Sequence, residues 1–364
     1  MKHFPIFYNK IFDYSLKKGN HVKFIDILKN IHISKDNRIN YLTKYIYKET
    51  PIILANRVTD LNNLPFGLSK NHSINTIRTW YLTSFLELTE INEPQTENEI
   101  IKFRSIINNI YNRHSNTLVT VSKGIYELKK ENKISDIEAP MIQTFLNRFY
   151  KNRTEIRILL EQYLSLFENN NDKKYFGIIN LETDLLKIMS TVINDLQFVI
   201  DQNKLNIILD DIIKVHNNVN IKIPCMENYL YYVIFELLKN STQAVLDKAK
   251  IENNYKPMIN VNINKIDDEY ILIVIKDNGI GIKEKNMEKI WYYSFSTSLF
   301  DSNNIVEESD FNTISPLSGL GYGLPISEIY MNFLNSSKNN IKINSVYNKG
   351  TTVYLYVKCY NEYL

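Results

Sequence analysis

The chain has 364 residues, 44% of them hydrophobic and 23% charged, an ordinary globular composition with enough apolar side chains to core two domains. A net charge of +3, spread over both halves without a Lys/Arg block, argues against nucleic acid as a partner. The two cysteines, Cys225 and Cys359, are far from one another and from any His pair, which excludes a disulfide framework and a zinc site, and no apolar run reaches the roughly 18 residues of a membrane span.

Residues 1–38 open the chain as a basic, aromatic stretch, MKHFPIFYNKIFDYSLKKG onward, in which Asp13 is the one early acid. It reads as an N-terminal arm or presequence. From Ile39 to Phe167 nearly every periodic segment is helical. Ile77, Tyr81, Phe85 and Leu88 make one apolar stripe; Phe145, Phe149, Ile156, Leu160, Tyr163 and Phe167 make another. Pro51, Pro65, Pro94 and Pro140 fall where helix starts and turns are expected. A four-helix bundle over residues 39–172 is therefore predicted, and ENNNDKK, Glu168 to Lys174, is the compositional break before a second domain at 173–364.

In that second half a helix is predicted near Leu181 to Gln202 and a strand at Asn206 to Leu209, followed by a long helix after Pro224. MINVNINK and YILIVIK bracket the turn IDDE and read as a β-hairpin. A short helix is expected from Lys283 to Tyr293. The polar stretch Asp301 to Ser318 has no pattern of its own and reads as part of a lid over about 296–322. IKINSV and TTVYLYVK close the sheet. Helices set beside a mixed sheet, rather than alternating strictly with strands, give the fold class α+β.

Three stretches carry chemistry. In the helix around FELLKNSTQAV, Tyr229, Val233, Glu236, Asn240 and Ala244 share one stripe, and Leu230, Ile234, Leu237, Ser241 and Val245 form the better core face beside it. Glu236 and Asn240 thus sit at the margin of the core, one turn apart. A carboxamide oxygen there can ligate a hydrated divalent metal, and a carboxylate can hold water or a hydroxyl proton. The bland alternative is that both hydrogen-bond a neighbouring turn.

The chain has only ten glycines, and Gly279, Gly281, Gly319, Gly321 and Gly323 fall in two short runs, DNGIGI after an apolar strand and GLGYGL before a helix. Concentrated there, they supply positive φ or let bare backbone approach a polyanion, so a phosphate site follows. GLGYGL is neither a dinucleotide fingerprint nor a P-loop, because no strand leads into it and no Lys-Ser/Thr follows. Asp277, at the strand end, can accept from the exocyclic amine of adenine; its alternative is a plain Asx turn. Lys239 and Lys248 read most simply as solvated face residues.

The order and spacing of ELLKN, DNGIGI and GLGYGLP resemble the nucleotide-binding boxes of the ATPase superfamily that holds Hsp90, DNA gyrase, MutL and histidine kinases, the GHKL superfamily. GLGYGLPIS, the Gly350-Thr351 step, NRHSN, RFYKNRTEIRILL and TPIILANR look more narrowly like the mitochondrial pyruvate dehydrogenase and branched-chain α-ketoacid dehydrogenase kinases, a likeness running from about Tyr45 to Val357. That resemblance implies a helical regulatory or docking domain followed by an ATP-binding α/β sandwich, with ATP and Mg²⁺ as cofactors. Glu236 is then the catalytic base and Asn240 the magnesium ligand. Asp277, Gly279, Gly281, Gly319, Leu320, Gly321, Tyr322, Gly323, Leu324 and Thr351 surround the nucleotide.

The same likeness implies a serine kinase of the mitochondrial matrix that inactivates the catalytic component of an α-ketoacid dehydrogenase complex. It also implies docking on a lipoyl domain and a homodimer formed through the second half. The chain departs from the pyruvate-type pattern at Tyr232, where a His is expected, and at Gln243 and Glu328, where arginines are expected. Three other readings compete: a conformational clamp driven by ATP, a histidine kinase labelled on His114 of NRHSN, and a nucleotide-binding scaffold weakened by Gln243 and Glu328.

Overall fold

The computed structural model describes residues 4–20, 22–64, 67–130, 140–168, 173–202, 207–219, 221–295 and 321–360. The chain divides into two compact units, Met1–Asn171 and Asp172–Leu364.

The first unit is helical: α1 (Phe4–Ser15), α2 (Phe24–Leu28), α3 (Lys35–Asn62), α4 (His72–Thr89), α5 (Glu97–Arg113), α6 (Thr117–Lys130) and α7 (Pro140–Ser165). It is a helical bundle in which α3 packs on α4 and α7, α4 on α6, and α5 on α7, with a turn at 114–116 between α5 and α6. Local sequence sets the helix starts. The Asn71 side chain accepts from the Ile74 amide at the head of α4, and Thr96 with Glu99 forms a reciprocal capping box at α5. Ile77, Tyr81, Phe85 and Leu88 of α4 are fully buried, as are Phe149 and Tyr163 of α7. The arm contributes α1, which packs on α3 and sets Tyr14 edge-on to Phe85 at 5.3 Å.

Pro140 begins α7 as expected, whereas Pro51 lies inside α3 rather than at a start or turn. Its ring removes one helical hydrogen bond, and burial with Thr50, Ile52, Leu54 and Ala55 outweighs that loss. Pro65 is outside the described residues.

The second unit holds two sheets. β1 (Tyr175–Phe176), β2 (Ile179–Thr183) and β4 (Ile223–Cys225) form a small antiparallel one. The larger is mixed, in the order β3 (Ile213–Asn217), β5 (Ile259–Lys265), β6 (Tyr270–Asp277), β8 (Gly350–Lys358), β7 (Ile341–Val346), with β3 parallel to β5 and every other pair antiparallel. The hairpin is as predicted, with Lys265 opposite Ile271. Period-2 alternation builds the core: Val261 and Ile263 pair with Ile275 and Ile273, Ile259 pairs with Asp277, and Ile271, Ile273 and Ile275 pair with Val357, Leu355 and Val353, all on one buried side. On that side lie α10 (Glu227–Ala249) and α11 (Gly323–Leu334), with α8 (Leu185–Gln202) against α10.

Three local expectations change. The segment predicted as the start of a helix at Leu181 belongs to β2, because Ile179 and Thr183 point inward as a strand, and α8 begins only at Leu185. Of the strand expected at Asn206–Leu209, Asn206 lies outside the described residues and Ile207–Leu209 is not a strand: Leu209 opens the four-residue helix α9 (Leu209–Ile212), and pairing with β5 begins at Ile213. Lys283–Tyr293 is not one helix but two 3₁₀ turns, Glu284–Asn286 and Lys289–Trp291, neither of which holds a buried residue that could anchor a longer element.

Gly281 has φ +67°, and a Cβ there would stand 2.3 Å from the Val346 carbonyl oxygen at the end of β7. Both the left-handed backbone and the contact forbid a side chain. Gly281→Ala is therefore expected to destabilise this unit by about 3 kcal/mol, a fall in melting temperature on the order of 8 °C in a thermal scan.

Candidate active site

Helix α10 packs on β6 and β8 and carries its polar stripe near its middle. Leu230, Ile234, Leu237 and Val245 are at most 1% exposed, so the core stripe is as read from the sequence, and Ser241 within it is also buried. A buried hydroxyl on an apolar stripe needs a partner. Its Oγ donates to Asp277 Oδ2 at 3.2 Å.

Asp277 occupies the last inward position of β6, where alternation would place an isoleucine. It is 4% exposed and accepts three hydrogen bonds: from Ser241, and through Oδ1 from the Gly279 amide at 2.9 Å and the Thr351 amide at 3.1 Å. Burial pushes its pKa up from the ordinary value; the three donors and the Lys248 charge pull the other way without cancelling it. One lone pair, on Oδ2, remains for a ligand donor. The Asx turn is present as well, since the bond to Gly279 is one.

The glycines have a role that the sequence did not disclose. A Cβ on Gly279 would meet the Ala244 backbone at 2.7 Å, and one on Gly350 would stand 2.1 Å from the Asp277 carbonyl. The close approach of backbone at Gly279, Gly281 and Gly350 is thus an approach of protein to protein, which draws the DNGIGI loop onto α10 and the β7–β8 turn. Thr351 holds the same corner, with Oγ1 2.9 Å from Ser345 Oγ. Lys248, expected in solvent, is instead a clasp. Its Nζ donates to the Asn278 carbonyl at 3.1 Å and the Asn348 carbonyl at 2.9 Å, because the two loops present converging carbonyls over the end of α10.

The second glycine run lies at the head of α11. Gly319 and Leu320 fall outside the described residues, as does the expected lid except for its last two positions. Gly321 has φ +74° and lies against the backbone of Phe295, and its carbonyl accepts from the Ser294 amide at 3.1 Å. Tyr322 is buried at the N-cap position, where its hydroxyl accepts from Ser294 Oγ at 2.9 Å and its side chain does not cap the helix. Gly323 and Leu324 are the first two helical residues, so their amides and the positive end of a 12-residue helix face outward together.

Glu236 meets this helix start. The residue is 9% exposed, and a Cβ on Gly323 would stand 2.1 Å from its Oε2. Its Oε1 accepts from Lys239 Nζ at 2.6 Å, and Lys239, 6% exposed, is not the solvated residue its position suggested. The i,i+3 spacing was the available signal. Asn240 is exposed, and its carboxamide has no hydrogen-bond partner among the described residues. A free oxygen donor one turn from a buried carboxylate fits magnesium, which binds through few protein ligands plus phosphates and water.

The departures from the expected pattern have local roles. Gln243 donates to Asp247 at 2.8 Å. Tyr232 packs edge-on to Tyr330 at 5.1 Å, and burial, then the nearby charge of Glu236, raises its pKa. Burial likewise raises the pKa of Glu328.

His114 belongs to the helical unit. Its Nε2 is 2.9 Å from Ser84 Oγ and its ring is edge-on to Tyr81 at 4.4 Å. Desolvation, then the charges of Arg113, Arg153 and Arg157, push its pKa down to about 4, so it is a neutral, hydrogen-bonded structural ring at pH 7.

A mixed sheet with helices on one face, a strand-end carboxylate and a glycine-started helix set against a Glu one turn from an exposed Asn define an ATP-binding domain of the GHKL class. A family profile described as "Histidine kinase-, DNA gyrase B-, and HSP90-like ATPase" matches residues 226–361, and one described as "Mitochondrial branched-chain alpha-ketoacid dehydrogenase kinase" matches residues 22–180. Among curated relatives, the mitochondrial pyruvate dehydrogenase (acetyl-transferring) kinase of Drosophila melanogaster is 32% identical over 330 residues, 87% of this chain and 77% of that protein. Kinase isozyme 1 of Mus musculus is 27% identical over 322 residues, 86% and 72% of the two chains, and isozyme 3 of the same species is 27% identical over 344 residues, 92% and 80%. The chain belongs to the mitochondrial pyruvate dehydrogenase and branched-chain α-ketoacid dehydrogenase kinase family.

Proposed function

We propose that the protein is an ATP-dependent serine kinase of the mitochondrial matrix that phosphorylates the catalytic component of an α-ketoacid dehydrogenase complex and so switches it off. One observation carries the reading: Glu236, from the middle of α10, is buried against Gly323 at the uncapped head of α11. Two stretches far apart in sequence thereby meet as a buried carboxylate against a helix start, which supports reading Glu236 as a base beside bound phosphates.

In this reading the free lone pair of Asp277 accepts from the adenine amine. Gly279, Gly281 and Thr351 shape the floor of the base pocket, and the Gly321–Leu324 turn takes the phosphates together with the adjoining Gly319 and Leu320. Asn240 would hold the magnesium ion, which supplies charge neutralisation to the phosphates. Glu236 orients the incoming serine hydroxyl and takes its proton.

The names of the relatives favour pyruvate dehydrogenase as the target, while Tyr232 leans toward the branched-chain enzyme. The helical unit docks a lipoyl domain of the complex's core. A homodimer forms through the sheet face away from the helices, where Leu272, Val274, Tyr354 and Tyr356 are half-buried in one protomer.

The test is incubation with labelled ATP and each purified dehydrogenase complex. Acid-stable phosphoserine on the catalytic component, with loss of dehydrogenase activity, is expected. Label on no dehydrogenase subunit, or acid-labile label on the protein's own His114, contradicts the proposal. ATP hydrolysis without any phosphoprotein would instead support the clamp reading.

A further inference from the structure

Two contacts fix the Glu236 carboxylate. Oε1 accepts from Lys239 at 2.6 Å, and Oε2 lies so close to the Gly323 backbone that even a methyl group would be excluded. Both members of the pair are buried, at 9% and 6% exposure. Among the described residues Lys239 makes no other hydrogen bond, and its ammonium lies 5.8 Å from the Phe235 ring centroid. One turn before Glu236 stands Tyr232, whose ring packs on Tyr330 and carries no positive charge. The cation that orients the carboxylate therefore comes from three residues after it.

We infer that Lys239 is a positioning residue: it holds Oε1 so that Oε2 alone faces the attacking hydroxyl at the head of α11. The inference rests on reading Glu236 as the base. In the step concerned, the hydroxyl proton passes to Oε2 while the hydroxyl oxygen forms its bond to the γ-phosphorus. The bond from that phosphorus to the bridging oxygen breaks, and its electron pair leaves on ADP. Without the ammonium the carboxylate can rotate about its last torsion, and either oxygen can turn away. A misplacement of about 1 Å costs on the order of 100-fold in rate.

The test uses the full chain with Lys239→Met, Lys239→Arg and the double variant Glu236→Gln/Lys239→Met. Three quantities are followed: phosphate transfer to the dehydrogenase component, binding of trinitrophenyl-ATP with Mg²⁺, and thermal melting. Lys239→Met is expected to lower kcat roughly 10- to 100-fold while the KM for ATP and the nucleotide Kd stay within about twofold, and Lys239→Arg to recover most of the rate. Lys239→Met should also melt below wild type, with the double variant melting above it, because the second change removes the stranded charge.

Wild-type turnover in Lys239→Met, or a loss of nucleotide binding in step with the loss of rate, overturns the inference. A double variant no more stable than Lys239→Met does the same. A wild-type protein that binds nucleotide but transfers no phosphate overturns the parent reading as well, and the wild-type control separates that failure from failure of the inference alone.

Discussion

Asp277→Asn is expected to weaken ATP binding by about 100-fold while the protein stays folded. Oδ1 of Asp277 faces two backbone amides, from Gly279 and Thr351, so an asparagine at this position must keep its carbonyl oxygen there. Its amide nitrogen then replaces Oδ2. That nitrogen can donate to Ser241 Oγ, which satisfies the protein, but it also turns a donor toward the adenine amine, where the carboxylate offered an acceptor. A donor set against a donor, together with the lost charge-assisted bond, costs about 3 kcal/mol, which is the 100-fold.

The fold responds differently. Burial raises the pKa of Asp277 in the folded chain above its ordinary value, so the stability this group contributes is fully present below the unfolded pKa and is lost as pH rises through the folded pKa. At neutral pH its charge is a net cost that the amide does not carry. Denaturant melts should therefore show Asp277→Asn gaining on wild type as pH is raised through the acidic range, then holding a constant difference. Equilibrium binding of trinitrophenyl-ATP measures the other half. A variant that folds and binds nucleotide like wild type contradicts the adenine assignment.

Glu236→Gln should have the largest effect on rate. The amide keeps the shape of the side chain and an oxygen for Lys239 Nζ, yet it cannot take a proton. General-base catalysis contributes about 10²- to 10⁴-fold, so single-turnover transfer to the dehydrogenase component should fall by that range with nucleotide affinity unchanged. Comparable turnover in the variant would move the base elsewhere, and no transfer by either protein would favour the weakened scaffold.

The parts of this site that were legible in the sequence are those that local pattern encodes. Period-2 alternation located β5, β6 and β8, and an acid at the strand end opening a glycine run singled out Asp277, although its inward position emerged only from the fold. Helical spacing separated the Leu230–Val245 core stripe from the polar margin that carries Glu236 and Asn240.

What periodicity does not encode is which other wall a margin faces. Lys239 reads as solvated on its own helix; it is buried and paired with the Glu236 carboxylate, which itself lies against Gly323 of α11. For the same reason Lys248 could not be matched with carbonyls from Asn278 and Asn348, which lie 30 and 100 residues away. The glycines were legible as places where backbone comes close, but not what comes close: at Gly279 it is Ala244, at Gly350 the Asp277 carbonyl, at Gly323 the Glu236 carboxylate. Short elements such as β2 and α9 were misread because a handful of residues satisfies either period, and their pairing partners decide the outcome.

Every assignment above depends on one ligand occupying the space between the α10 margin, the β6 end and the α11 head. Amide hydrogen exchange, with and without a non-hydrolysable Mg²⁺·ATP analogue, reads that occupancy directly. Slowed exchange confined to peptides covering Asp277–Ile282, Gly321–Leu324 and Gly350–Thr351 is the predicted result. Unchanged exchange in all three at saturating nucleotide, or protection restricted to the helical unit, would contradict it.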